Sequence, residues 1–427
     1  MKRQPQLVDH PTPEPNYTSA ITLRLLRELS ERGPLTFQDL VRAAEGAYPS
    51  DVLFSLHSLE KDGQISRLTF DRWTKGDAAS RENAQAPPAP MSSSPVQIDA
   101  LPEPHPIDFD WRFTDATLSD LEGYIHASSA ERVAVLGAPT LFQRLSRSGV
   151  SVHLFDKNPQ IVNYFLAVGN SSVSQCDLFK FSGFPKRFQW AIADPPWYLE
   201  HYYAFIAASS KLLEVEGKLL LSVLPRLTRP SAPRDRINVV EMASQVGFDL
   251  IEVRPGALHY ESPPFEVEAL NAEKLALDDW RSGDIFCFSL RSHPLPQSDA
   301  QKPGEDETWL AFQLGTTIIK IKDEQRQESE PFDYGPVSPS GSFRLRSVSR
   351  RSPVRSKINL WSSRNLALTV SKPVALVEAL EKLRTGHPLK STLATTAYEY
   401  QLSNCEVDKL REVLELLSKD AGIVWSE

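Results

Sequence analysis

The residues best suited to chemistry are Asp194-Pro195-Pro196-Trp197, which follow the apolar run Trp190-Ala191-Ile192-Ala193. The run reads as a buried strand. Proline has no N–H and cannot continue a central ladder, so the chain must leave the sheet there as a stiff loop. Open α/β sheets bind their ligands at the carboxyl ends of the strands. A planar amine lying against the indole face would point its N–H groups at the Asp194 carboxylate and the Pro195 carbonyl. An isolated Asp-Pro-Pro is more often a turn that ends a strand. The flanking sequence changes that balance.

The elements that must position this corner begin at Glu131. Strands are expected at Arg132–Leu136, Val150–Phe155, Val173–Cys176, Gln189–Ala193 and Lys218–Leu224, alternating with helices at Thr140–Arg147, Pro159–Val168, Glu200–Leu213 and Asp235–Val246. Two more strands, Phe248–Val253 and Ile285–Leu290, are separated by a long excursion. Such a βαβ succession implies a mainly parallel sheet with right-handed crossovers. The first strand opens into Gly137-Ala138-Pro139-Thr140. In a nucleotide-type fold this turn faces the cofactor, and the helix N-terminus adds partial positive charge. The acid that grips ribose hydroxyls should close the second strand, roughly 20 residues on. Asp156 lies there, Asp177 follows the third strand and can reach an adenine amine, and Asp194 follows the fourth. One such acid is ordinary as a helix cap. Acids in phase at the ends of successive strands point to cofactor binding.

Gly137-Ala-Pro-Thr-Leu-Phe-Gln-Arg-Leu145, Leu154-Phe-Asp-Lys-Asn158 and Ile192-Ala-Asp-Pro-Pro-Trp197 resemble the N6-adenine methyltransferase-like family over about Phe109 to Arg291. The resemblance implies a seven-stranded class I methyltransferase core of Rossmann-like α/β type. It implies S-adenosylmethionine as cofactor, held by Gly137, Ala138, Pro139, Asp156 and Asp177. It also implies catalysis by Asp194, Pro195, Pro196 and Trp197, with adenine N6 of DNA or RNA as acceptor and a flipped base stacked on Trp197. The usual second glycine of the first loop is absent. The family includes a lysine methyltransferase that works through the same tetrad, so protein lysine is the alternative acceptor. A second alternative is a catalytically inactive fold that binds partners.

The flanks carry their own signals. Residues 1–16 are polar and proline-rich and are expected to be disordered. Residues 17–75 carry three short helical patterns and a hairpin and resemble a winged helix-turn-helix, with Thr36 as a cap and Pro49-Ser50 opening the third helix. That helix is not basic, so duplex contact and protein docking stay open. Residues 76–106 read as a Pro/Ala/Ser-rich linker, 107–293 as the methyltransferase domain, 294–308 as a second linker and 309–427 as an α+β accessory region. No acidic residue occurs between Tyr334 and Val377, where Arg350, Arg351 and Arg355 lie near Trp361. These, with Arg226 and Arg229 after the fifth strand, are candidate phosphate contacts, with Trp361 as an aromatic platform. Ala375–Leu383 and Cys405–Ser418 read as amphipathic helices.

A net charge of −8 argues against a surface that coats nucleic acid as a whole. Cys176, Cys287 and Cys405 form neither a disulfide framework nor a zinc pattern, and no metal is expected. No apolar signal core or run of about 20 residues occurs, so the expected setting is cytoplasmic, without a membrane partner.

Overall fold

The computed structural model describes residues 15–69, 71–76, 101–292, 307–323, 330–350 and 352–426. Most of the expected disordered N-terminus and of both linkers, and Arg351, lie outside the described residues.

The N-terminal module holds α1 (Pro15–Arg32), β1 (Leu35–Thr36), α2 (Phe37–Ala43), α3 (Pro49–Lys61), β2 (Ile65–Thr69) and β3 (Arg72–Lys75). Its strands form an antiparallel sheet in the order β1-β3-β2. Thr36 and Asp39 make a reciprocal capping box at the start of α2, and Pro49 occupies the first turn of α3, where its missing N–H costs nothing. Helix α1 begins at Pro15, inside the stretch expected to be disordered. The module's core, including Leu25, Leu40, Val52 and Leu56, runs on into Leu227, Leu270, Leu275 and Trp280 of the next domain. Helix α1 and the turn between α2 and α3 make that junction. Leu227 N–H donates to the Glu45 carbonyl at 2.9 Å, Tyr17 Oη to the Leu227 carbonyl at 2.7 Å, and Tyr48 packs edge-on against Trp280.

The central domain follows as β4 (Arg112–Phe113), α4 (Asp115–Ala127), β5 (Arg132–Leu136), α5 (Pro139–Leu145), β6 (Ser151–Asp156), α6 (Pro159–Ala167), β7 (Val173–Gln175), β8 (Phe188–Ala193), α7 (Leu199–Leu212), β9 (Leu213–Val223), α8 (Ala232–Gln245), β10 (Phe248–Glu261), α9 (Pro264–Ala272) and β11 (Ser282–Leu290). The sheet order is β4-β10-β11-β9-β8-β5-β6-β7. Strands β5 to β9 pair in parallel, and β11 runs against both neighbours. Among the described residues this sheet has eight strands where seven were expected. The addition is the two-residue β4, which pairs Phe113 with Tyr260 at the sheet edge and is too short to carry a sequence pattern. Strand β10 extends well past its expected end at Val253, because Arg254-Pro255-Gly256 is absorbed by a register shift between Arg254 and Leu258 rather than ending the strand. Helix α9 was not expected from Ser262-Pro263-Pro264, yet Pro264 serves as its first residue.

The C-terminal domain comprises β12 (Trp309–Leu314), β13 (Thr317–Lys322), β14 (Tyr334–Pro336), β15 (Leu360–Ser362), β16 (Ala367–Val370), α10 (Pro373–Arg384), α11 (Leu389–Glu399) and α12 (Asn404–Ala421). Its antiparallel sheet has the order β12-β13-β15-β16-β14. Helix α11 lacks an apolar stripe and buries mainly Thr392, Leu393 and Thr396, so it left no signal in the sequence.

Candidate active site

Gly137 and Asp194 meet at the carboxyl edge of neighbouring strands. Asp194 N–H donates to the Leu136 carbonyl at 3.1 Å, and Gly137 N–H to the Phe155 carbonyl at 3.1 Å. Gly137 has φ +67°, and a Cβ there would lie 3.2 Å from the Phe205 ring and 3.3 Å from the Asp194 carbonyl oxygen. The positive φ, together with the close approach of the chain's own Phe205 ring and Asp194 carbonyl, favours glycine at this turn. Ala138 and Pro139 are buried behind it and start α5.

The Asp194 carboxylate is half-buried and held from behind. Tyr260 Oη donates to its Oδ1 at 2.8 Å, Tyr260 and Ser222 hydroxyls lie 2.7 Å apart, and Trp197 Nε1 donates to Ser222 Oγ at 3.2 Å. Tyr260, Ser222 and Trp197 are all buried. Burial raises the Asp194 carboxyl to about 7 against the opposing pull of Tyr260, Ser222 and Arg281. The Pro196 carbonyl accepts from Tyr198 N–H at 2.7 Å, which closes the proline loop just before α7. Gly283 on β11 makes room here, since a Cβ would meet Trp197 at 3.1 Å and Tyr260 at 3.2 Å.

Arg281 completes the corner. Its guanidinium carbon lies 4.1 Å from the Trp197 ring centre and 4.3 Å from that of Trp111, and its Nε is buried with no hydrogen-bond partner among the described residues. The open stacking face expected of Trp197 is therefore corrected. Arg281 covers it, and the indole is a wall of the corner. Tyr198 is the more accessible ring at the mouth.

Asp156 stands at the end of β6, buried, with Oδ1 accepting Asn158 N–H at 2.8 Å. Burial raises its carboxyl to about 7; Asp110 and Asp108 add to the rise, and Asn158 N–H and Arg112 oppose it. Asp177 lies beyond β7, where it caps a short turn by accepting Phe179 N–H at 3.2 Å. Strand order thus brings Gly137, Asp156, Asp177 and Asp194 to one edge of the sheet.

The arginines divide. Arg226 is exposed. Arg229 pairs with Asp235 at 2.8 Å and Arg350 with Glu200 at 2.6 Å, with their guanidinium carbons 5.6 and 5.3 Å from the Tyr198 ring centre. Arg355 is packed between Phe109 and Trp361, 5.1 and 4.8 Å from their ring centres, and burial lowers it to about 10. Trp361 is 1% exposed, so the expected aromatic platform is corrected to a core residue. Among the described residues no group of His, Cys, Asp and Glu could hold a metal, and no helix is long and apolar enough to cross a membrane.

Sequence reasoning missed Ser222 and Arg281, and it left Tyr260 open within His259–Phe265 as part of a substrate mouth or of a turn. Ser222 had one signal, a lone hydroxyl in the apolar run Leu219–Leu224. Tyr260 and Arg281 lie on either side of an excursion whose folding the sequence left open.

No family model matches the chain, and no curated protein matches it. The branched-chain polyamine synthase of Thermus thermophilus, solved with N4-aminopropylspermidine and 5'-methylthioadenosine, overlays 67% of this chain and 90% of its own, with a TM-score of 0.48 and 15% identity. TrmN from Thermus thermophilus overlays 40% of this chain and 47% of its own, with a TM-score of 0.28 and 16% identity. The N-methyltransferase NodS from Bradyrhizobium japonicum overlays 42% of this chain and 98% of its own, with a TM-score of 0.28 and 13% identity.

Proposed function

We propose that the protein is an S-adenosylmethionine-dependent N-methyltransferase whose acceptor is a planar exocyclic amine, adenine N6 of DNA or RNA. The observation that carries this reading is the Asp194 carboxylate beside Gly137, fixed by Tyr260 and Ser222 at the end of a central strand. Gly137, Asp156 and Asp177 are the residues that would hold the cofactor, which when bound supplies a methyl group on a cationic sulfur. The remaining work falls to the chain itself. Asp194 accepts an N–H of the acceptor and holds the amine with its lone pair aimed across the cleft. Tyr260 and Ser222 keep that carboxylate from rotating. Alignment of this kind supplies much of the rate in a direct transfer. Tyr198, partly exposed with Arg229, Arg350 and Phe109 beside its ring, lines the mouth through which a flipped base would enter.

Charge favours a neutral acceptor. Arg281 lies in the corner itself, whereas Arg229 and Arg350 beside Tyr198 are already paired with Asp235 and Glu200, so the positive charge is mainly that of Arg281. A cationic ammonium entering this site meets like charge.

A cationic amine, from lysine or a polyamine, is the second reading. A carboxyl raised to about 7 is well matched to removing an ammonium proton at neutral pH. Incubation of the pure protein with methyl-labelled S-adenosylmethionine and DNA, RNA, cell protein or spermidine separates the two. Label in nucleic acid that disappears with Asp194→Ala supports the first. Label confined to protein or polyamine overturns it in favour of the second.

A further inference from the structure

Residues 103–112 run past the carboxyl edge of the central sheet. At one end Asn158 Nδ2, two residues beyond Asp156, donates to Asp108 Oδ2 at 3.1 Å. At the other the Phe109 ring meets those of Tyr198 and His201, 5.9 and 6.1 Å between centres. Between these points, in the strand order, lies the end of β5 with Gly137. Phe109 has φ +57°, a left-handed conformation that an aromatic residue rarely adopts. Something must hold it there.

The C-terminal domain does so. Lys320 Nζ on β13 reaches both Asp108 oxygens, at 2.5 and 2.7 Å, and is itself 8% exposed. Arg355 lies over Phe109 and donates to the Pro106 carbonyl at 3.3 Å. His105 Nε2 pairs with the Trp361 carbonyl at 3.0 Å, and Ser363 donates to Glu103. Every one of these contacts joins the segment to the same domain.

We propose that residues 103–112 are a strap that forms part of the donor pocket, and that Lys320 is a positioning residue for the donor, acting on Asp156 through Asp108 and Asn158. The accessory domain is then a component of the cofactor site. This rests on the reading of Asp156 as the ribose-binding acid. The electrostatics run the same way. Charged and titratable groups facing Asp156 are Asp108, Asp110 and Arg112 on the strap and Cys176 beyond β7. Asp110 is paired with Arg112 at 2.8 Å, as Asp108 is with Lys320. Removing Lys320 leaves Asp108 uncompensated, which pushes Asp156 toward its protonated form.

Calorimetric titration of the full chain with S-adenosylhomocysteine across the neutral pH range tests this. Lys320→Met should weaken binding about tenfold, as residues behind a ligating group commonly do in metal sites. The acid limb of the binding profile should move to higher pH, and Lys320→Arg should bind close to wild type. Hydrogen exchange of the unliganded protein should rise over 105–112 in Lys320→Met. Wild-type affinity and pH profile for Lys320→Met, with binding abolished by Asp156→Ala, would overturn the proposal. So would equal losses in Met and Arg variants with no pH displacement. Wild-type binding by Asp156→Ala would remove the donor-site reading itself, and the proposal with it.

Discussion

The corner at Asp194 and the acid-free stretch from Tyr334 to Val377 were both read in the sequence as candidate contacts, and they fold in opposite ways. At the corner, neighbours in sequence stay neighbours in function. Two prolines fix the backbone, so the carboxylate emerges where the strand ends. In the basic stretch, Arg346 and Lys357 stay exposed, while other charges adjacent in sequence separate and pair with distant acids. Arg344 pairs with Asp420, Arg350 with Glu200, Arg364 with Glu103 and Lys372 with Glu406, while Arg355 is stacked between rings. The partner acids lie in other elements, some in another domain. A rigid local backbone preserves what the sequence places together. A run of like charge predicts a charged face only when no distant acids return to it.

The sharpest way to break this contrast is at the corner. Asp194→Asn keeps the shape and removes the charge, and methyl transfer should fall about 1,000-fold, within the range for a lost acid–base or hydrogen-bonding group. The same variant should be more stable than wild type at alkaline pH. The unfolded carboxyl loses its proton at its ordinary value, 3.8, whereas in the fold it keeps it to about 7. The folded form therefore has its full advantage below about 4 and loses it as pH rises to 7, leaving a buried charge that Asn does not carry. Thermal melts above pH 7 should show a gain on the order of 1 kcal/mol. A less stable, still active variant would mean that Asp194 is only a turn residue.

The basic stretch is probed at Arg355. If its place is between Phe109 and Trp361, Arg355→Ala should cost about 2 kcal/mol in denaturant unfolding, through lost packing more than lost charge. An unchanged midpoint would return this residue to the surface role its sequence context suggested.

Tyr260→Phe tests the corner more finely. The hydroxyl opposes the burial that raises Asp194, so its loss should raise that carboxyl further. The acid limb of the pH–rate profile should move to higher pH, with a loss of about tenfold at neutral pH, the value of one charge-assisted hydrogen bond.

What could be read beforehand follows the same division. The alternation of strands and helices, the glycine turn and the acids after β6, β7 and β8 were legible because each is set by residues within one βα unit. Arg281 was not, because it reaches the corner only after the chain returns through α9 to β11, and Tyr260 was visible only as part of a segment that read equally as a substrate mouth or a turn, because β10 first absorbs a proline-containing irregularity. The two-residue β4 exists only through pairing with β10, and α11 only through packing, so neither had a local cause to detect. In the N-terminal module the helices were legible, but their use was not. The turn into α3 lies against Leu227 and Trp280, placing the start of that helix on protein.

The smallest expected effect separates the arginines that remain at the surface from those that do not. Each phosphate neutralised contributes about 0.9 to the slope of log affinity against log salt on duplex DNA. Arg226 is exposed, whereas Arg350 is already paired with Glu200. If the mouth binds nucleic acid, Arg226→Ala should lower the slope by about one contact's worth. Arg350→Ala should change it by less, because its partner Glu200 has already taken part of its charge. Equal decreases for the two would mean that Glu200 releases Arg350 when the substrate arrives. The basic stretch would then be a concealed phosphate contact that opens on binding, and its contrast with the preformed corner would become one of timing.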